Sequence, residues 1–138
     1  MRYFHTLSFC YNFSVIYTGT IIQESLVDQL ILDKLHVTRT VVEEATPRHN
    51  TPWVKAWILH TVEIEEEDAD KWAEWLSKNI DNSHDHPWYV DYKNEKYHYV
   101  IFPGKIFKIE RKNKEQNKKA VNYGLAVGIP EYQLDWEM

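Results

Sequence analysis

The sequence predicts an α+β domain: an antiparallel sheet with helices packed on one face, in a ferredoxin-like βαββαβ arrangement with an extra hairpin strand. Three observations lead there. Between Trp88 and Arg111, three runs of β-branched and aromatic residues are separated by two turn signals, the pattern of an antiparallel meander. Trp53 to Glu65 alternates with the period of a strand. Ala69, Trp72, Ala73, Leu76 and Ile80 recur at helical spacing.

Taken in order, residues 1–22 form an arm of uncertain structure ahead of a single domain spanning 23–138. Their apolar bias and early Arg2 invite a leader reading. Yet His5, Thr6, Ser8, Asn12 and Ser14 interrupt the run, which is too polar for a spanning helix. An extra strand or an irregular arm laid on the sheet is expected. A second reading puts the natural start downstream at a non-Met codon, because Met1 and Met138 are the two methionines.

Leu26, Val27, Leu30 and Ile31 predict a short helix over 23–34, and LHVTRTVVEE, Leu35 to Glu44, a strand. ATPRHNTP, Ala45 to Pro52, is a loop. In the strand from Trp53, His60 shares a face with Ile58, Val62 and Ile64, while Trp53, Trp57 and Leu59 share the other. The helix over Glu66 to Ile80 opens with acidic residues that complement its dipole. DNSHDHP, Asp81 to Pro87, is a turn-rich loop.

Within the meander, a two-residue first loop sets Tyr92 opposite Tyr97, Val90 opposite Tyr99 and Trp88 opposite Ile101 on the helix-covered side. Asp91 then falls directly opposite His98 on the other side, with Cβ atoms about 5 Å apart. Asn113 to Val127 predicts a second helix with Ala120, Val121, Gly124 and Leu125 inward. Gly124 costs about 1 kcal/mol relative to Ala, so a close approach to the sheet is expected there. Gly128-Ile129-Pro130 is a stop signal, and Tyr132 to Trp136 predicts a final edge strand.

Composition narrows the classes of function. A chain of 138 residues buries enough surface to fold without a disulfide or a metal, and Cys10 is the single cysteine, which suits a reducing cytoplasm. The net charge of −5 argues against a general nucleic-acid binder. A basic stretch with Lys112, Lys114, Lys118 and Lys119 is the one feature that would meet phosphates, although such a run is ordinarily a solvated helix face. Six tryptophans and nine tyrosines favour self-association, as a homodimer, or a protein partner, with Trp53, Trp57 and Leu59 as contact residues.

Chemistry-bearing residues are few. His98, Asp91 and His60 are the catalytic candidates, since a carboxylate beside an imidazole fixes its tautomer and raises its basicity. His84, Asp85 and His86 offer ligand types for a divalent metal, should His60 or His98 approach them. No nucleotide-binding, nucleophile-elbow or zinc-protease motif occurs.

WYVDYKN, HYVIFPGKIF and GIPEYQLDW, between Trp88 and Trp136, resemble a class of small prokaryotic and phage-type open reading frames sharing the pattern WYxDxKN, HYxIFxxKxF and GIPxxQLDW. The resemblance implies no activity. The leading expectation is therefore a cytoplasmic, non-catalytic binding domain that self-associates or binds a macromolecular partner, with no cofactor and no membrane. The alternative is a metal-dependent hydrolase-type enzyme using the His/Asp cluster.

Overall fold

The computed structural model describes residues 15–85 and 87–136. The class is α+β, with a six-stranded antiparallel sheet in the order β2-β3-β1-β4-β5-β6. The strands are β1 (Tyr17–Ile22), β2 (His36–Glu44), β3 (Ala56–Ile64), β4 (Val90–Lys93), β5 (Tyr97–Phe102) and β6 (Lys105–Glu110). Helix α1 (Ala69–Asn79) joins β3 to β4, and α2 (Lys114–Ala126) follows β6. Because β1 pairs antiparallel with both β3 and β4, those two strands run parallel. Helix α1 is thus the crossover of a split βαβ unit.

Residues 17–22, expected as an extra strand or part of an irregular arm, are a strand at the centre of the sheet. Residues 1–14, including Cys10, lie outside the described residues. Gly19 explains the central position, since a Cβ there would sit 2.6 Å from Tyr92 Cβ. Only glycine lets β1 and β4 approach so closely.

The helices do not share a face, contrary to expectation. Trp72, Ala73 and Leu76 of α1 pack with Tyr17, Val62, Tyr92, Tyr99 and Ile101, whereas Ala120 of α2 packs with Val100, Phe102 and Ile109. Tyr99 and Ile101 alternate with Val100 and Phe102 along β5, so the two clusters lie on opposite sides of the sheet. Strand β5 is buried along nearly its whole length and needs cover on both sides.

The predicted helix over 23–34 is instead two 3-10 turns, Gln23–Ser25 and Gln29–Lys34. Its apolar residues do not form one stripe: Leu26 is buried, while Val27 and Leu30 are 70% and 72% exposed. Asn79 also fixes the backbone between the turns, accepting from Asp28 N and donating to Asp28 O. The predicted edge strand over 132–136 is a 3-10 turn, Glu131–Leu134, whose Leu134 enters the second cluster. Gly124 makes its close approach to Leu134 rather than to the sheet.

The meander register is shifted by two from the expected one, pairing Tyr92 with Tyr99 and Asp91 with Val100. Asn94 is the reason. Its buried side chain accepts from Lys96 N and Tyr97 N and donates to Val15 O, which lengthens the loop. A two-residue shift keeps every side chain on its original face.

Under α1, Tyr17 packs edge to face on both Tyr92 and Tyr99, at 5.6 and 5.2 Å between ring centroids, and Tyr92 and Tyr99 lie 5.0 Å apart with their planes tilted by 31°. Tyr92 donates its hydroxyl to Ala69 O at 2.5 Å, and Tyr99 donates to Asp70. Burial, and then the nearby Glu66 carboxylate, push the Tyr17 hydroxyl up to about 12. Among the described residues, no helix is long and apolar enough to cross a membrane.

Candidate functional site

His98 and Asp91 meet on the α2 face. His98 Nε2 lies 2.7 Å from Asp91 Oδ2; a carboxylate only accepts, so Nε2 carries the proton. They are diagonal neighbours rather than the directly opposed pair expected, since the rung partners are Val100 for Asp91 and Lys93 for His98. The chain after α2 closes over the imidazole. The Trp136 ring stands edge-on to it at 5.5 Å, and Trp136 Nε1 donates to Asn117 Oδ1 at 2.6 Å. The Tyr89 hydroxyl donates to the Gln133 carbonyl alongside. His98 is left 2% exposed and Asp91 30%. The buried imidazole spends its proton on the carboxylate, and the open side of the pair is acidic.

His60 does not join them. It shares the side of Val62 and Ile64, which is the α1 side, whereas His98 shares that of Val100 and Phe102. Both its nitrogens are engaged, Nδ1 with Thr40 Oγ1 at 2.9 Å and Nε2 with Gln23 Oε1 at 2.8 Å. The expected single cleft holding His98, Asp91 and His60 therefore does not exist.

Of the loop histidines, His84 is similarly occupied. His84 stacks on Trp53 with centroids 3.9 Å apart and planes within 8°, and it lies 3.9 Å from Asp81 Oδ2. Asp81 accepts from the Ser83 hydroxyl at 2.6 Å and from its backbone N–H at 2.9 Å. The hydroxyl bond chiefly holds the Asp81 carboxyl below its ordinary range. Asp85 is exposed, and His86 lies outside the described residues. Among the described residues, no group of three His, Cys, Asp or Glu side chains converges to hold a metal.

A cleft absent from the sequence reading forms where the β2–β3 hairpin meets the C-terminal turn. Glu43, Arg48, His49, Trp57, Tyr132 and Gln133 line about 180 Å³. His49 Nδ1 accepts from Thr46 N at 3.0 Å, so Nε2 is the protonated nitrogen and donates to Glu43 Oε1 at 2.7 Å. The Trp57 ring meets His49 edge-on at 4.2 Å and donates Nε1–H to buried Thr51 at 2.9 Å. Arg48 lies 4.6 Å from the Tyr132 ring centroid. Imidazole and carboxylate are committed to fixing the loop, and the volume falls short of the roughly 300 Å³ at which ligand pockets begin. Thr46-x-x-His49 after a strand ending in Glu43-Glu44 was the available signal, hidden inside a segment that reads only as a loop.

The remaining expected contact residues occupy the outer sheet and α2. Trp57 and Leu59 lie on β3 opposite Glu43 and Val41. Trp53 lies ahead of β3 and is 36% exposed. Every residue of β2 except Val37 is exposed, including Val41 and Val42 at 39% and 66%. Lys112, Lys114, Lys118 and Lys119 are exposed on α2 and the turn before it. Comparison of the chain with protein-family models, with curated proteins and with solved structures finds no match.

Proposed function

We propose that this protein is a non-catalytic interaction module that presents the outer half of its sheet, β2 and β3, to another polypeptide. The observation that carries the reading is the exposure of β2, an edge strand of the sheet: eight of its nine residues, all but Val37, are exposed. Main-chain groups on an open edge supply pairing, and side chains on its faces supply specificity. Trp57 and Leu59 on the adjoining strand would border the contact. The proposal includes a cytoplasmic setting and the relationship to phage-type reading frames. It also includes a ferredoxin-like ancestry of the topology, supported by the split unit of β3, α1 and β4 with β1 between them.

A hydrolase-type enzyme is the second reading, and the 2.7 Å contact between His98 and Asp91 favours it. Burial of the imidazole and the position of His60 on the other side weigh against it.

Site-specific photocrosslinking tests the interaction reading. Benzoylphenylalanine in place of Val42, in cells making the full chain, is expected to give protein adducts that the same probe in place of Lys118 does not. Absence of adducts at Val42 would sink the reading.

A further inference from the structure

The two edges of the sheet are protected unequally. β6 is six residues long and carries Lys105 and Lys108, and both shortness and lysines discourage an edge from pairing with another chain. β2 is nine residues long, HVTRTVVEE, with neither lysine nor proline. Its irregularity falls between Val37 and Arg39, near one end. From Arg39 to Glu44 it pairs without interruption with Thr61 to Ala56, so this run is regular and exposed.

The run is also self-complementary. Arg39, Val41 and Glu43 oppose Thr61, Leu59 and Trp57 and so project from one face, while Thr40 and Val42 oppose His60 and Ile58 on the other. We infer that a second copy of this chain pairs with β2 edge to edge, antiparallel, about a two-fold axis through Val41. This rests on the interaction reading above and narrows it to one partner, one strand and one register.

In that register Val41 faces Val41, and Arg39 of each copy faces Glu43 of the other. Thr40 faces Val42 on the opposite surface. Centring the axis on Thr40 would instead set Arg39 against Val41 and Glu43 against Val37. Centring it on Val42 would set Glu43 against Val41 and Glu44 against Thr40. Only the Val41 register joins both Arg39 and Glu43 to an opposite charge, with Glu44 facing Thr38. Glu43 is able to serve twice, because a carboxylate accepts at both oxygens and His49 is bonded to Oε1. An isologous contact of this kind closes as a dimer, and the two six-stranded sheets become one continuous sheet.

Sedimentation velocity of the full chain over a concentration series, with R39E, E43R, their equimolar mixture and the R39E/E43R double variant, tests the pairing. Wild type is expected to dimerise. Each single variant places like charges at both ends of the contact and should weaken it by about thirtyfold or more. The mixture should recover a one-to-one heterodimer, and the double variant should recover the homodimer. Should a single variant fail to fold, hydrogen exchange on wild type provides an independent reading: amides of residues 38–44 should gain protection with concentration while those of β6 do not. A wild type that stays monomeric, a dimer indifferent to both substitutions, or a mixture no tighter than its components would each overturn the inference. A monomer whose Val42 photoadducts carry a different protein overturns self-pairing alone, whereas a monomer without adducts overturns the interaction reading as well.

Discussion

Asp91 Oδ2 accepts the Nε2 proton of His98 at 2.7 Å along a diagonal of the β4–β5 ladder, not across a rung. The imidazole is 2% exposed, and Asp91, itself 30% exposed, is the group that accepts its buried proton. Leaving a buried donor unpaired costs about 1–3 kcal/mol. Asp91→Ala is expected to lower the unfolding free energy by that amount. Asp91→Asn, which keeps an acceptor, should lose less. Urea titrations read both, and an Asp91→Ala chain as stable as wild type would show that the bond contributes nothing.

That pair also shows how far a sequence can be read. Alternation along each strand places Asp91 and His98 on one surface whatever the loop length, since a shift of two residues preserves it. The register itself depends on the buried Asn94 amide bonding to Lys96, Tyr97 and Val15, and no local pattern announces that. The separation of His60 from His98 is hidden from the sequence for a related reason. Periodicity sorts residues within β3, but which surface of β3 continues into that of β5 is a matter of topology, with β1 and β4 between them. β1 is the least legible element because YTGTII carries a glycine that weakens a strand on its own terms and is required only by its neighbours. β2, β3, α1 and α2 lie close to their expected bounds, since each has a long, consistent pattern. The cleft of His49 and Glu43 joins a loop to a distant C-terminal turn, a contact that only the folded chain makes.

Gly19 offers a direct test of the central strand. A methyl group there would fall 2.6 Å from Tyr92 Cβ and against the Asp91 carbonyl, both held by sheet pairing. Overpacking of this kind costs about 1–3 kcal/mol, and more where backbone has to move. Gly19→Ala should therefore be strongly destabilising or fail to accumulate, whereas Gly104→Ala is opposed by backbone strain alone, since nothing lies within 4 Å of that position. A Gly19→Ala chain as stable as wild type in thermal unfolding would remove β1 from the sheet centre.

Tyr17, Tyr92 and Tyr99 set an alkaline limit. Burial raises the hydroxyl of each above its ordinary value of 10.0, Tyr17 to about 12 and the other two further. Between pH 10 and the folded-state values, the unfolded chain has released protons that the native chain still holds. The unfolded state then binds fewer protons, so stability falls as pH rises. Full stability from these groups is present below pH 10 and is lost progressively above it. Denaturant midpoints measured from pH 8 to 12 should decline beyond 10, and Tyr17→Phe should flatten the decline. An unchanged slope in that variant would mean that Tyr17 does not contribute.

Gly124 and Leu134 should behave as a coupled pair. A Cβ on Gly124 would lie 2.7 Å from Leu134 Cδ2, the far end of a side chain buried in the second cluster. Replacing glycine by alanine inside a helix is worth about 1 kcal/mol in its favour, while forcing Leu134 to move costs about 1–3 kcal/mol. Gly124→Ala alone is thus expected to be neutral to destabilising. Leu134→Ala alone should cost about 2–5 kcal/mol through the space it leaves. In the double variant the clash is gone, the new methyl fills part of that space, and the helix preference acts unopposed. The combined loss should then fall short of the sum of the two single losses by about 1 kcal/mol or more. Strict additivity in a double-mutant cycle would mean that α2 and the C-terminal turn do not touch at this point, and with that contact would go the lid that keeps His98 away from water.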